Sequence, residues 1–168
     1  MKSALWLGVF FFVALIGVHV LMRSIAQEQW PHAAAINFGA KPTYEPKTVR
    51  ALLTEHGAEA RKYIFPGLFP LDLAYLFCLG GTIALFSLGF ADAGTSGRMW
   101  LVLVLPVGYM IADLTENLAL ARMLSSAPEA ITSATVTLVQ GLTIIKLGLV
   151  IAGTVQVLYL FGCSLVRG

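Results

Sequence analysis

Four long apolar stretches constrain this chain more than any other feature of its sequence. They run over about residues 4–22, 68–90, 99–124 and 131–161. Each reaches the roughly 20 residues that a helix needs to cross a hydrocarbon core of about 30 Å. Lipid offers no water to pair backbone N–H and C=O groups, so helices are the expected form. A membrane barrel would instead show many alternating segments of about ten residues, and the sequence has none. Only 12% of the residues are charged and 58% are hydrophobic, against about 25% charged in a soluble domain. Such a chain cannot cover a water-facing surface. Its wealth of Leu, Val, Ile and Phe excludes a disordered one, and a net charge of +2 leaves no electrostatic footprint for nucleic acid. The expected fold class is all-α. It is an antiparallel four-helix bundle integral to the membrane, a single transmembrane domain over residues 1–168, with an amphipathic helical loop between the first and second spans.

The first stretch follows Lys2 and resembles a signal-peptide core. It is long, and Ser24-Ile25-Ala26 is the nearest small-x-small sequence, so an uncleaved span with both termini on one side is expected. Orientation signals conflict. Arg23, Lys41, Lys47, Arg50, Arg61, Lys62 and Arg122 lie on the long-loop side, against Lys2, Arg98 and Arg167 on the other. That imbalance places the long loop in the cytoplasm, of a bacterial inner membrane if the chain is bacterial. The signal-anchor character of the N-terminus argues the opposite. Cys78 and Cys163 fall at different depths, so no disulfide is expected. No C-x-x-C is present to support thiol–quinone redox chemistry.

Residues 23–65 form the only sizeable polar segment. Trp30 suits an interfacial anchor. Residues 41–46 read as extended chain because each proline disfavours helix before it. Pro46 suits a helical first turn, and Val49, Leu52, Leu53, Ala60, Tyr63 and Ile64 recur near helical spacing. Gly57 interrupts that run, so one helix should stop near His56 and another restart. An amphipathic segment capping the bundle and a solvated linker helix both fit this pattern.

Of the twenty Asp, Glu, Lys and Arg residues, sixteen fall in loops, termini or span ends. Asp72, Asp113, Glu116 and Lys146 remain inside spans, where each charge costs at least about 2.5–3.5 kcal/mol at the bilayer centre. Residues of this kind face the protein interior and pair with one another. Asp113, Glu116 and Asn117 form D-x-x-E-N. At 100° per residue they share one helix face with Tyr109, a turn earlier. Two carboxylates this close in a low dielectric call for a cation between them, and Lys146 is the one at hand. His19 and Arg23 on the first span, Tyr75 beyond Asp72 on the second, and Gln140 and Thr143 on the fourth add polar groups toward the same half of the membrane. The termini half is almost purely apolar. The pattern suggests a pocket open to the long-loop face and closed at its base. The competing reading is structural: an Asp113–Lys146 pair that fixes helix register, ordinary interhelical bonds from Asn117 and Gln140, and Asp72 capping its helix after Pro70.

No metal site is expected. H-x-x-x-H and E-x-x-H are absent, and His19 is the only histidine within a span, which excludes a bis-histidine haem there. A set of His19, Asp72, Glu116 and Asp113 has the residue types of a metal site without the spacing that would mark one. No G-x-S-x-G, Walker loop or dinucleotide fingerprint occurs, and the residues name no cofactor. Gly80-Gly81, and Gly148 with Ala152, permit close helix approach and self-association.

The segment Ala51-Leu52-Leu53 to Gly57, Arg61 and Tyr63, then Leu71-Asp72-Leu73, then Leu103–Pro106 leading to Ala112-Asp113-x-x-Glu116-Asn117, resembles a group of small uncharacterised bacterial four-span membrane proteins. The resemblance covers about residues 48–125 and rests on the D-x-x-E-N. It implies a fold and a shared site at Asp72, Asp113, Glu116 and Asn117, and no activity. Three functional readings follow. An accessory or scaffold subunit leads, because nothing identifies a reaction and enzymatic activity is left open. A binding or catalytic pocket for a small amphiphile, such as a lipid or quinone head group, comes second. A proton-coupled carrier comes third. The partners expected are the bilayer, a small amphiphile, and a second copy of the chain or another membrane subunit.

Overall fold

The structure is a computed structural model that describes residues 2–91 and 100–167. Arg98 and the first residue of the third apolar stretch lie outside the described residues. Every regular element is helical among those described. Four helices are long and apolar enough to cross a membrane: Ser3–Gln29, Gly57–Phe90 with its kinks, Trp100–Leu124 and Ser133–Val166.

Helix α1 spans Lys2–Gln29. It therefore continues through residues 23–29, which the sequence pattern assigned to the loop. Pro31 then opens a short helix, α2 (Pro31–Ile36), where its missing N–H is an orphan in any case. Asn37 ends it in the left-handed region (φ 55°), a conformation its short amide tolerates. Helix α3 (Pro46–Glu55) starts on Pro46 and buries Val49 and Leu52. As expected, the helix breaks at His56, and α4 (Gly57–Lys62) restarts immediately after it. Tyr63–Asp72 is helical but broken at Phe65 and Phe69, which take extended φ/ψ ahead of Pro66 and Pro70, as pre-proline sterics require. Helix α5 covers Leu73–Phe90 and α6 Val104–Leu124. Pro106 sits in the first turn of α6, where proline is tolerated. Helix α7 runs over Ser133–Arg167. Thr132 caps it by accepting the Thr135 N–H at 3.2 Å.

Helix α5 packs against α1, α6 and α7, and α6 packs against α7. Gly80 and Gly81 serve opposite neighbours. A Cβ on Gly80 would lie 2.6 Å from Met110 Cγ, and one on Gly81 2.6 Å from Phe11 Cδ1. A Cβ on Gly148 would meet nothing within 4 Å among the described residues, so Gly148 makes no close helix approach there. The periphery is apolar: Trp6 is 74% and Ile151 65% exposed, whereas Asp113, Glu116 and Asn117 are buried. An apolar outside around a polar inside is the arrangement that lipid as solvent selects.

The loop segment packs as a cap. Trp30, Phe38, Val49 and Leu52 join Leu120, Met123 and Ile131 in one hydrophobic core, so the segment is not a solvated linker. Trp30 is only 3% exposed and meets Tyr63 edge-on at 6.2 Å between ring centroids. It is a core residue rather than the interfacial anchor its position suggested. Arg50 donates to the Ile131 carbonyl from Nε (3.0 Å) and Nη2 (2.5 Å), and Gln140 Nε2 donates to the Tyr44 carbonyl at 2.6 Å. These bonds fasten the cap to the start of α7.

Candidate functional site

The D-x-x-E-N run lies mid-way along α6, so its helical spacing turns Asp113, Glu116 and Asn117 inward together. Lys146 comes from α7. Its ammonium lies 2.9 Å from Asp113 Oδ1 and also contacts Glu116 directly. Thr143, one turn before Lys146, donates its hydroxyl to the other oxygen of Glu116. One lysine thus bridges two carboxylates. Coulomb attraction at this depth stabilises the ammonium only because both partners are within contact distance. Asp113 Oδ2 is buried with no hydrogen-bond partner among the described residues.

Asp72 stands at the head of α5 and makes no capping bond there. Its carboxylate instead accepts from Asn117 Nδ2 at 2.7 Å. The capping explanation for Asp72 is therefore replaced by an interhelical tie between α5 and α6. Asp72, Asn117 and Lys146 line one cavity of about 360 Å³, together with His19 and Arg23 from α1. Trp30, Leu68 and Leu120 provide apolar wall. Arg23 makes no ion pair among the described residues, and it leaves a cation at the long-loop side of the cavity.

The remaining expected residues are placed as follows. Tyr109 is buried against Gly80, as a Cβ there would lie 3.6 Å from Tyr109 Cδ1. It packs beneath the cluster rather than bonding to it. Tyr75 faces His19, with 6.0 Å between ring centroids. Gln140 is spent on the cap, not on the carboxylates. The set His19, Asp72, Glu116 and Asp113 is not brought together as a group with metal-ligand spacing.

The sequence pattern did not reveal the roof. Gly39, in the turn between α2 and α3, sits where a Cβ would be 3.5 Å from Lys146 Nζ. Tyr44 buries its hydroxyl without a partner among the described residues. Burial pushes that hydroxyl well above its ordinary range, and the charge of Glu116 adds to the effect. Neither residue carries a motif, because a loop folded back over a site leaves no periodic signal. In the termini half, Gln156 Nε2 donates to Ser87 Oγ (2.9 Å) and the Val102 carbonyl (2.8 Å). This is a polar tie in a region that otherwise reads as apolar.

No protein-family model, curated protein or solved structure matches this chain.

Proposed function

We propose that the chain is a multi-pass membrane protein whose long helices form an antiparallel bundle, and that the bundle holds the polar head of a small amphiphile in the cavity beneath the cap. One observation carries this reading: a cavity of about 360 Å³ lined by polar side chains, Asp72, Asn117, Lys146 and Arg23 among them, together with apolar ones such as Trp30, Leu68 and Leu120. Ligand sites have this volume range and this mix of apolar lining with a few polar groups. Arg23 and Lys146 offer donors to an anionic or carbonyl-bearing head, while Asp72 offers an acceptor. A lipid or a quinone head supplies matching chemistry. In this reading Asp113 and Glu116 hold Lys146 in place, and Lys146, Asp72 and Asn117 touch the ligand. The D-x-x-E-N resemblance supports a site shared with other small four-span proteins.

The test is mass spectrometry of organic extracts from the purified protein, comparing the parent with Asp72→Asn and Asn117→Ala. A stoichiometric amphiphile that both substitutions deplete, with folding intact by size exclusion, supports the pocket. An extract with only bulk lipid in every sample overturns it.

A scaffold or accessory role is the second reading, favoured by the internal pairing of Lys146 with Asp113 and Glu116. It predicts a second copy or another membrane subunit in mild-detergent extracts. The carrier reading has less support, because among the described residues of the termini half the polar tie is that of Gln156 to Ser87 and the Val102 carbonyl. The excess of Lys and Arg on the cap side supports a cytoplasmic cap. Accessibility of a cysteine placed at Lys47 to an impermeant reagent decides the orientation.

A further inference from the structure

Two of the chain's three histidines meet in the cap, away from the cavity. His32 follows Pro31 in the first turn of α2, and His56 is the break between α3 and α4. Their rings stack with centroids 3.7 Å apart and planes 11° from parallel. Glu59, on α4, reaches the same spot, and His32 Nδ1 and Glu59 Oε2 are 2.8 Å apart. The other oxygen of Glu59 accepts the Ala33 N–H at 2.8 Å. One ligand atom from each of His32, His56 and Glu59 lies within 4.8 Å of the others.

We propose that His32, His56 and Glu59 bind a first-row divalent transition metal, with zinc the best match. Two borderline imidazoles with one harder carboxylate form a donor set that zinc uses. Tetrahedral bonds of about 2.0–2.1 Å place ligand atoms about 3.3 Å apart, so closing the set takes small side-chain movements. The stacked rings must splay so that their lone pairs converge, and any imidazole N–H that becomes a ligand must release its proton. The Ala33 N–H fixes the Glu59 carboxylate from behind, which is how outer-shell groups orient a ligand. His32 is 58% exposed, so solvent can supply the fourth position. The ligands come from α2 and from the α3–α4 junction, so metal binding would pin α2 onto the rest of the cap. The proposal is independent of what the cavity beneath holds.

The spacing explains why the sequence did not announce the site. H-x-x-E at His56 and Glu59 is a single helical turn, and the third ligand lies 24 residues earlier, so no short motif contains all three.

The experiment uses the whole chain in detergent, stripped with a chelator and then titrated with zinc ion alone. Bound metal is counted by plasma mass spectrometry after dialysis, and cobalt is substituted as a spectroscopic probe. One zinc per chain is expected, with cobalt giving the intense visible bands of a tetrahedral site. His32→Gln, His56→Gln and Glu59→Gln should each weaken binding at least ~10-fold, on the scale seen when a site loses a supporting group. Glu55→Gln, an exposed acid on α3, should leave it unchanged. Modification of the parent by diethylpyrocarbonate gives a readout that needs no variant: zinc should protect His32 and His56. Sub-stoichiometric zinc, parent-like affinity in the three ligand variants, or unprotected histidines would each overturn the proposal.

Discussion

Replacing Lys146 by Met removes the one cation that two buried carboxylates share. Lys146 is 8% exposed, Asp113 2% and Glu116 0%, so neither carboxylate can turn to water. Removing one partner of a buried pair costs about 3–5 kcal/mol, because the charge left behind stays desolvated. At about 2–4 °C per kcal/mol for a chain of this size, Lys146→Met should melt about 6–20 °C below the parent. Contact of Lys146 with both carboxylates makes the multiple variants informative. The Asp113→Asn/Lys146→Met double still leaves Glu116 with only Thr143, so it should recover part of the loss. The Asp113→Asn/Glu116→Gln/Lys146→Met triple has no charge at these three positions, leaves Asp72 bonded to Asn117, and should return to within about 1–2 kcal/mol of the parent, since neutral replacements of buried ion pairs are often nearly neutral in stability. The assay is thermal unfolding in detergent, followed by fluorescence and by loss of the monodisperse peak on size exclusion. If Lys146→Met melts with the parent, or the triple is no better than the single, the cluster is not the paired network described. A triple that folds but has lost its co-purifying amphiphile would separate ligand binding from stability.

Other substitutions test the packing around the site. Gly81→Leu puts a side chain where Phe11 lies 2.6 Å away and should destabilise by about 1–3 kcal/mol. Gly148→Leu meets nothing within 4 Å and should be neutral in the same melt, unless a second copy packs there and is lost on size exclusion. Arg50→Met strips the buried Ile131 carbonyl of both donors and should cost about 1–3 kcal/mol, with faster proteolysis of the cap. Tyr44→Phe removes a buried hydroxyl that has no partner. It should be neutral or stabilising by up to about 1 kcal/mol, and a loss above about 1 kcal/mol would mean that the hydroxyl is bonded.

The spans were legible because lipid imposes a long, unmistakable pattern, and the break at His56 was legible from Gly57. The four intramembrane charges stood out for the same reason, since a charge within an apolar run is too costly to be incidental. Their pairing was only half legible. Helical spacing put Asp113, Glu116 and Asn117 on one face, and the crowding of the two acids pointed to Lys146 as the cation between them, but spacing could not show that Thr143 would take the other oxygen of Glu116. Nor could it show that Asp72 would find Asn117, 45 residues away, instead of capping its own helix. That bond is a tertiary outcome of how α5 meets α6 across Gly80. The cap was the least legible part. Residues 23–29 look polar enough for a loop, yet they continue α1, because Ile25 and Ala26 pack against the cap core. Trp30 fits an interface by type and a core by placement.

The cap and the charged cluster explain each other. Three carboxyls and one ammonium could not sit inside the helices beside an open aqueous face without hydrating, and a hydrated cluster needs no bridging lysine. The Gly39 turn against Lys146, the Gln140 bond to the Tyr44 backbone and the Arg50 bonds to Ile131 hold a roof over one side of that cluster. The opening left is the cavity beside α1, walled by Trp30 and Leu68 and edged by His19 and Arg23. Under the proposed function, an amphiphile entering there would keep its tail in lipid and bring its head to Asp72, Asn117 and Lys146 without lifting the cap. In that proposed function, the asymmetry of the polar residues along the helices follows from a site roofed by protein on one side and entered from the membrane on the other.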